Sequence, residues 1–367
     1  MIAALRLHAA PRPQQRVFAT EPRLLYIFLA LSALTMPIGL VVSGLRLVSA
    51  EFGMAGGILA FIVWFALCLR RRGMVRIATA LEAWAVFTAC CLVITLSTFM
   101  LATGQRPFVD VALAAADRML LPWFDWPRTM RAFARSGTAV RVANAVYESI
   151  LWQPQSAIVL LSMTVVPRRV WHFVLSWTLT LCLIVALFTF LPALGAYAHF
   201  GIAASDVPAL LDPTPWRQPE ILHRLRDGSL RVVSLAELDG IITFPSFHAA
   251  AAVLLGYAFW TIRWLRWPFA LLNVLMLASA VPVGGHYIVD IVAGIAVAAV
   301  GIWASEAMLS LNATWASRVF SDSAIALPAT PRSGRAADAA AWRPDRESNP
   351  GARICSPLRH HSAIGPR

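Results

Sequence analysis

The chain contains no lysine: its 31 basic residues are all arginines, set against 19 acids, for a formal net charge of +12 over 367 residues. Those arginines gather in the tails and in short turns between apolar runs. No concentrated basic face on a soluble module results, which argues against nucleic acid as a partner and for membrane topology and contact with anionic lipid. Cysteine is scarce as well. Of Cys68, Cys90, Cys91, Cys182 and Cys355, four sit inside apolar runs and none has metal-ligand spacing, so they read as packing thiols. Residues 1–23 lack the compact apolar core of a signal peptide, and no internal repeat is visible. What abounds is apolar surface: 59% of residues are hydrophobic and the mean hydropathy is +0.67, which marks a polytopic membrane protein.

The predicted fold is all-α, a membrane helical bundle with about eight transmembrane helices and an interfacial helical segment. The expected spans are Leu24 to Val48, Phe52 to Leu69, Ile77 to Thr103, Val142 to Val166, Val170 to Leu191, Phe244 to Leu265, Pro268 to Val283, and the run from Asp290 to Leu311. Each approaches or exceeds the ~20 residues that cross a hydrocarbon core of about 30 Å. Residues 1–23 are expected to be a cytoplasmic tail, 24–311 the bundle, and 312–367 a cytoplasmic tail without apolar periodicity. Arginine-bearing turns at 70–76, 168–169 and 263–266 fall on one side of an eight-span count, the cytoplasmic side by the positive-inside rule. The expected setting is a bacterial inner membrane.

Three stretches break the apolar pattern. In residues 104–141, Asp110 and Asp117 stand seven apart among apolar residues, and Trp123, Phe124 and Trp126 follow. This reads as helices lying in the outer interface or packed on the bundle. In the fourth span Asn144, Tyr147, Glu148 and Gln155 fall roughly on one face, with Tyr147 and Glu148 as candidates for a pocket wall; an interhelical hydrogen-bond network is the alternative. The loop from Ala193 to Thr243, the longest between spans, carries Arg217, His223, Arg224, Arg226 and Arg231.

The chemistry concentrates in residues 243–290. Two apolar runs joined by a turn with Arg263 and Arg266 form a membrane hairpin, which returns His248 and His286 to the same membrane face. Asp290 lies four residues beyond His286, so on a helix the carboxylate reaches an imidazole N–H, fixes the tautomer and strengthens the other nitrogen as nucleophile or base. Gly284 and Gly285 leave backbone bare at an expected helix N-terminus, a place that favours an anion. Pro245 suits the first turn of a helix and Ser246 offers a hydroxyl. The implied ligand group is a phosphate.

The sequences PSFH and GGHYIVD resemble the second and third signature motifs of the type-2 phosphatidic acid phosphatase superfamily. They are most similar to its inositol phosphorylceramide synthase branch, with motifs PSxH and GGHYxxD, and the resemblance covers about residues 140–305. It implies that His286 is a nucleophile forming a phosphohistidine, that Asp290 orients it, and that His248 protonates the leaving oxygen. Ser246 and the Gly284–Gly285 backbone would hold phosphate oxygens, with no metal and no cofactor. The substrate would be a membrane lipid phosphate, and the acceptor water or a lipid or polyol hydroxyl. Departures are plain: Ala280 stands where the third motif has an arginine, although Ser279 before it is kept, and Phe247 replaces the usual glycine. The lysine-containing first motif is absent. The family places it in the loop that corresponds to 193–243, so Arg224 and Arg226 are the candidate phosphate clamps. A transporter path along Glu148 and a non-catalytic member of the superfamily are the alternatives.

Overall fold

The computed structural model describes residues 21–164, 167–210 and 213–325. Most of both expected tails, with Cys355, lies outside the described residues. The chain divides into two compact units, Met1–Phe320 and Ser321–Arg367; the first is the bundle.

Among the described residues, five helices are long and apolar enough to cross a membrane. They are α1 (Glu21–Ser43), α2 (Ser49–Arg71), α3 (Val75–Ala102), α8 (Pro167–Phe190) and α13 (Ile288–Ile325). Two shorter apolar helices, α11 (Phe247–Trp260) and α12 (Arg266–Ala280), form the expected hairpin. The expected fourth span is not one helix. It divides into α6 (Gly137–Tyr147), a 3-10 turn at Glu148–Leu151 and α7 (Gln153–Thr164). Pro154 supplies the reason: its ring would clash with the carbonyl four residues back in a continuous helix, and it has no N–H to donate.

Between α3 and α6 lie α4 (Asp110–Leu120) and α5 (Trp126–Ala134), and the long loop folds into α9 (Ala196–His199) and α10 (Thr214–Asp227). Sheet among the described residues is confined to two parallel two-residue strands, β1 (Arg46–Leu47) and β2 (Val232–Val233), paired Arg46 to Val232 and Leu47 to Val233. This pairing ties the α1–α2 turn to the long loop, and Glu51 adds a hydrogen bond from Leu235 N–H at 2.8 Å. Near the opposite end, residues 73–77 and Met163 line one hollow, while Arg168 and Thr261 line another. The chain reversals thus separate into two groups.

The main core packs α3, α7, α8 and α11 around Phe87, Phe173 and Trp177, with Phe87 and Trp177 ring centroids 5.3 Å apart. Small residues let α13 approach closely. A Cβ on Gly294 would collide with the carbonyl oxygen of Ser246, and one on Gly301 with the Thr180 hydroxyl. The backbone of α13 therefore rests directly on the start of α11.

Candidate functional site

His248 lies in the first turn of α11, behind Ser246, which caps the helix by accepting from Ala249 N–H at 3.3 Å. Pro245 precedes this cap, outside the helix in which the sequence pattern puts it. The Ser246 N–H donates to the Asp290 carbonyl at 3.1 Å, so the two histidine segments are joined through their backbones. His286 is buried, with Nδ1 3.3 Å from Asp290 Oδ2. Both histidines line one cavity of about 350 Å³. Tyr147 lines it too and lies flat on the His248 ring, with centroids 3.7 Å apart and planes within 12°. The hairpin has brought together residues distant in sequence.

The segment before His286 is held from several sides. Tyr197 donates its hydroxyl to the Pro282 carbonyl at 2.7 Å, Ala196 N–H donates to the Gly285 carbonyl at 2.9 Å, and Trp126 Nε1–H to the His286 carbonyl at 3.1 Å. Gly284 and Gly285 are demanded by this packing. A Cβ on Gly284 would sit 2.7 Å from both His286 Cδ2 and the Tyr147 hydroxyl, and Gly285 has φ of +67° with Tyr197 against it.

The acids of α4 complete the hold. Asp110 accepts from Leu194 and Gly195 N–H, both at 2.9 Å, and from the Tyr287 hydroxyl at 3.1 Å. Asp117 accepts from Ile288 and Val289 N–H, both at 2.8 Å. The anion at the α13 N-terminus is therefore this carboxylate. That helix starts two residues after His286, not at the glycines, and Gly284 N–H is already bonded to the Ala280 carbonyl at 3.0 Å. Burial pushes the Asp117 carboxyl above the usual carboxylate range, while the two backbone donors pull it back. On α4 the two acids face inward and Val111, Arg118, Met119 and Leu120 face outward. This arrangement suits a helix between the bundle and lipid, and the seven-residue spacing of the two acids was the signal for a shared buried face. Trp126 and Tyr197 had no comparable signal.

Other sequence candidates fall elsewhere. Glu148 is exposed in the 3-10 turn and does not line the cavity. Arg224 and Arg226 lie in the last turn of α10, and neither lines the cavity. Arg226 instead stacks over the Phe108 ring at 3.8 Å. A nearer cation is Arg217, paired with the cavity residue Asp239 at 2.9 Å. Ala280 is fully buried beneath the loop. Phe247 fills space where the resemblance has glycine, packing edge-on against Trp177 at 5.2 Å.

The cavity continues from the histidines between α3 and α8, along Phe87, Cys91, Ile94, Leu181 and Val185. One end is polar and the other apolar, as an amphiphile requires.

The fold is that of a helical protein with several helices able to cross a membrane. Residues 111–304 match the model of the PAP2 superfamily. That match covers more than half of the chain, and the protein belongs to this superfamily, which points to phosphatase or phosphotransferase action on lipid phosphates. No curated protein and no solved structure is detectably similar to the chain.

Proposed function

We propose that the protein transfers the phosphate or phospho-headgroup of a membrane lipid through a phosphohistidine on His286. The observation that carries this reading is the meeting of His248 with the His286–Asp290 pair in one cavity whose far wall is apolar. Asp290 at Nδ1 leaves Nε2 to attack phosphorus and stabilises the positive charge that the ring acquires. As the bond from phosphorus to the leaving oxygen breaks, protonated His248 gives that oxygen a proton. It then takes a proton from the incoming hydroxyl as the phosphohistidine bond breaks, which regenerates both histidines. Such proton transfer is typically worth ~10²–10⁴ in rate. Tyr147 holds the His248 ring plane.

The proposed phosphate donors are the backbone at His286, which lines the cavity, and the Ser246 hydroxyl and Gly285 backbone, which adjoin cavity residues in the chain without lining the cavity themselves. The clamp cation is proposed to come from the long loop, with Arg217 ahead of Arg224 and Arg226 because it already pairs with a cavity residue. Gln155 and Gln218 bring buried amide oxygens without partners among the described residues to the cavity. The O–H of an incoming acceptor, water or an alcohol, would satisfy them. The eight-span topology with a periplasmic site in a bacterial inner membrane draws support from the arginine turns at 70–76, 168–169 and 263–266.

The test is turnover of labelled lipid phosphates by purified protein in nanodiscs, with and without inositol or ceramide as acceptor. His286→Ala is expected to abolish both turnover and the acid-labile phosphoenzyme. His248→Ala is expected to stop turnover yet still form phosphoenzyme from an ester with an activated leaving group. A phosphoenzyme that persists in His286→Ala would overturn the assignment.

A further inference from the structure

Residues 125–141 carry Arg128, Arg131, Arg135 and Arg141 against a single acid, Asp125. The proposed mechanism uses none of them. All four arginines are exposed, and among the described residues none of them forms an ion pair. Asp125 caps α5 by accepting from the Arg128 backbone N–H at 3.0 Å. On the proposed topology these arginines lie on the side away from the turns at 70–76, 168–169 and 263–266, so the positive-inside rule does not account for them.

A groove of about 510 Å³ runs beside them, with Ala143 and Val146 of α6 on one wall and Leu275 and Ala278 of α12 on the other. Ser136 and Thr138 line it as well, which puts its hydroxyls at the start of α6 and its apolar residues further along. From Ser136 to Val146 a helix rises ~15 Å. That is half of a hydrocarbon core of about 30 Å, the depth of one leaflet. Val142, which also lines the groove, and Leu275 are exposed, so its side is open to lipid. Arg141 joins the groove to the arginine cluster: its Nη2 donates to Thr138 Oγ1 at 3.2 Å, and a hydroxyl partner leaves the positive charge uncompensated.

The two features together select the occupant. A soluble phosphate would leave the apolar length of the groove uncovered, and an uncharged lipid would leave the arginines unmatched. Exposed Trp123, just before α5, is a residue type of the membrane–water boundary, the depth at which headgroups lie. We propose that the groove between α6 and α12 seats an anionic phospholipid. Arg141 takes a phosphate oxygen, Arg135 beside Ser136 adds attraction, and one acyl chain lies along Ala143, Val146, Leu275 and Ala278.

The test is lipid retention by the full chain, measured by native mass spectrometry after exchange into detergent with phosphatidylglycerol or phosphatidylcholine. The wild-type protein is expected to keep phosphatidylglycerol in preference. Arg141→Gln should reduce that retention about fivefold, as expected for one basic residue near a lipid surface. Ala278→Phe adds a ring at an exposed groove position and should reduce it at least as much, with every arginine in place. Arg263→Gln, in the turn between α11 and α12, should leave it near the wild-type level. Equal retention of both lipids by the wild type would overturn the proposal, as would unchanged retention in Arg141→Gln or in Ala278→Phe. An equal loss in Arg263→Gln would overturn it too, by showing a general attraction of lipid to arginine. Dimers that take the place of the lipid and vanish in Ala278→Phe would instead make the groove an interface between copies of the chain.

Discussion

Helices α1 and α2 bury 6% and 11% of their most apolar stretches, whereas α3 and α8 bury 50% and 56%, although all four are comparably apolar. Apolarity decides whether a helix enters the bilayer, since lipid tails solvate leucine as well as protein does. Packing within the bilayer is decided by close approach and by polar contacts. The buried face of α3 combines small residues that let neighbours come near, among them Ala78, Thr79, Ala83 and Cys90, with Phe87, Ile94, Leu96 and Phe99, which fill the space between helices. The outward face of α1 carries Leu31, Leu34, Ile38, Val41 and Val42. Its attachment is local: Tyr26 donates to Glu82 on α3 at 2.9 Å, and Arg70 on α2 reaches the same carboxylate at 2.6 Å. The family match begins at residue 111, yet α3 contributes Phe87, Cys91 and Ile94 to the histidine cavity. Helix α3 therefore joins the matched region to the helices outside it.

The contrast is sharpest where the packed half is cut. Asp117→Ala removes the acceptor for two backbone N–H groups at the start of α13, and should cost about 2–4 kcal/mol in stability. It should also lower lipid-phosphate turnover by ~10²-fold, since small misplacement of a reacting group is that costly. Asp117→Asn, which keeps one acceptor oxygen, should recover part of both in thermal-shift and turnover assays. Full activity in Asp117→Ala would show that the His286 segment holds its geometry without α4.

Gly294→Ala comes next. The added methyl meets the Ser246 carbonyl, so α13 must shift away from α11, at about 1–3 kcal/mol. A lower melting temperature with turnover reduced more than substrate binding is the expected pattern. Weaker still is Glu82→Gln, which removes the charge that joins α1 and α2 to α3. About 1 kcal/mol of stability should be lost, in line with one hydrogen-bonded ion pair with a half-exposed partner, and proteolysis between α1 and α2 should quicken while turnover stays intact. A loss of turnover comparable to that of Asp117→Ala would erase the distinction between the two regions. Smallest is Val41→Ala on the lipid-facing side of α1, expected within about 0.5 kcal/mol of the wild type; a larger thermal shift would mean that α1 packs against something beyond lipid.

Much of the site was legible because its parts are local. The four-residue offset of His286 and Asp290 depends on near neighbours in sequence, whereas the cap at Ser246, one residue after the proline expected to start the helix, came from the structure. The return of the hairpin depends only on the lengths of two apolar runs. The long loop was different. Arg224 and Arg226 were candidates as arginines of this loop, but α10 stacks Arg226 over Phe108 and leaves Arg217 paired with the cavity residue Asp239, an outcome that depends on helical phase. Glu148 was misleading for the same reason, because it directly follows Tyr147 and adjacent helical positions point about 100° apart.

By itself the sequence determined the helical membrane class, the pairing of two histidine segments and the family to which they belong, because apolar run length and short motifs are properties of the chain alone. Only the tertiary structure decided what holds those segments in place. Asp110, Asp117, Trp126 and Tyr197 act on backbone groups far from them in sequence, and a backbone N–H or carbonyl has no residue identity by which a sequence could show its partner. Buried carboxylates need donors, so the sequence could require that Asp110 and Asp117 be satisfied; the fold supplied the donors, in the long loop at Leu194 and Gly195 for Asp110 and at the start of the helix that follows His286 for Asp117.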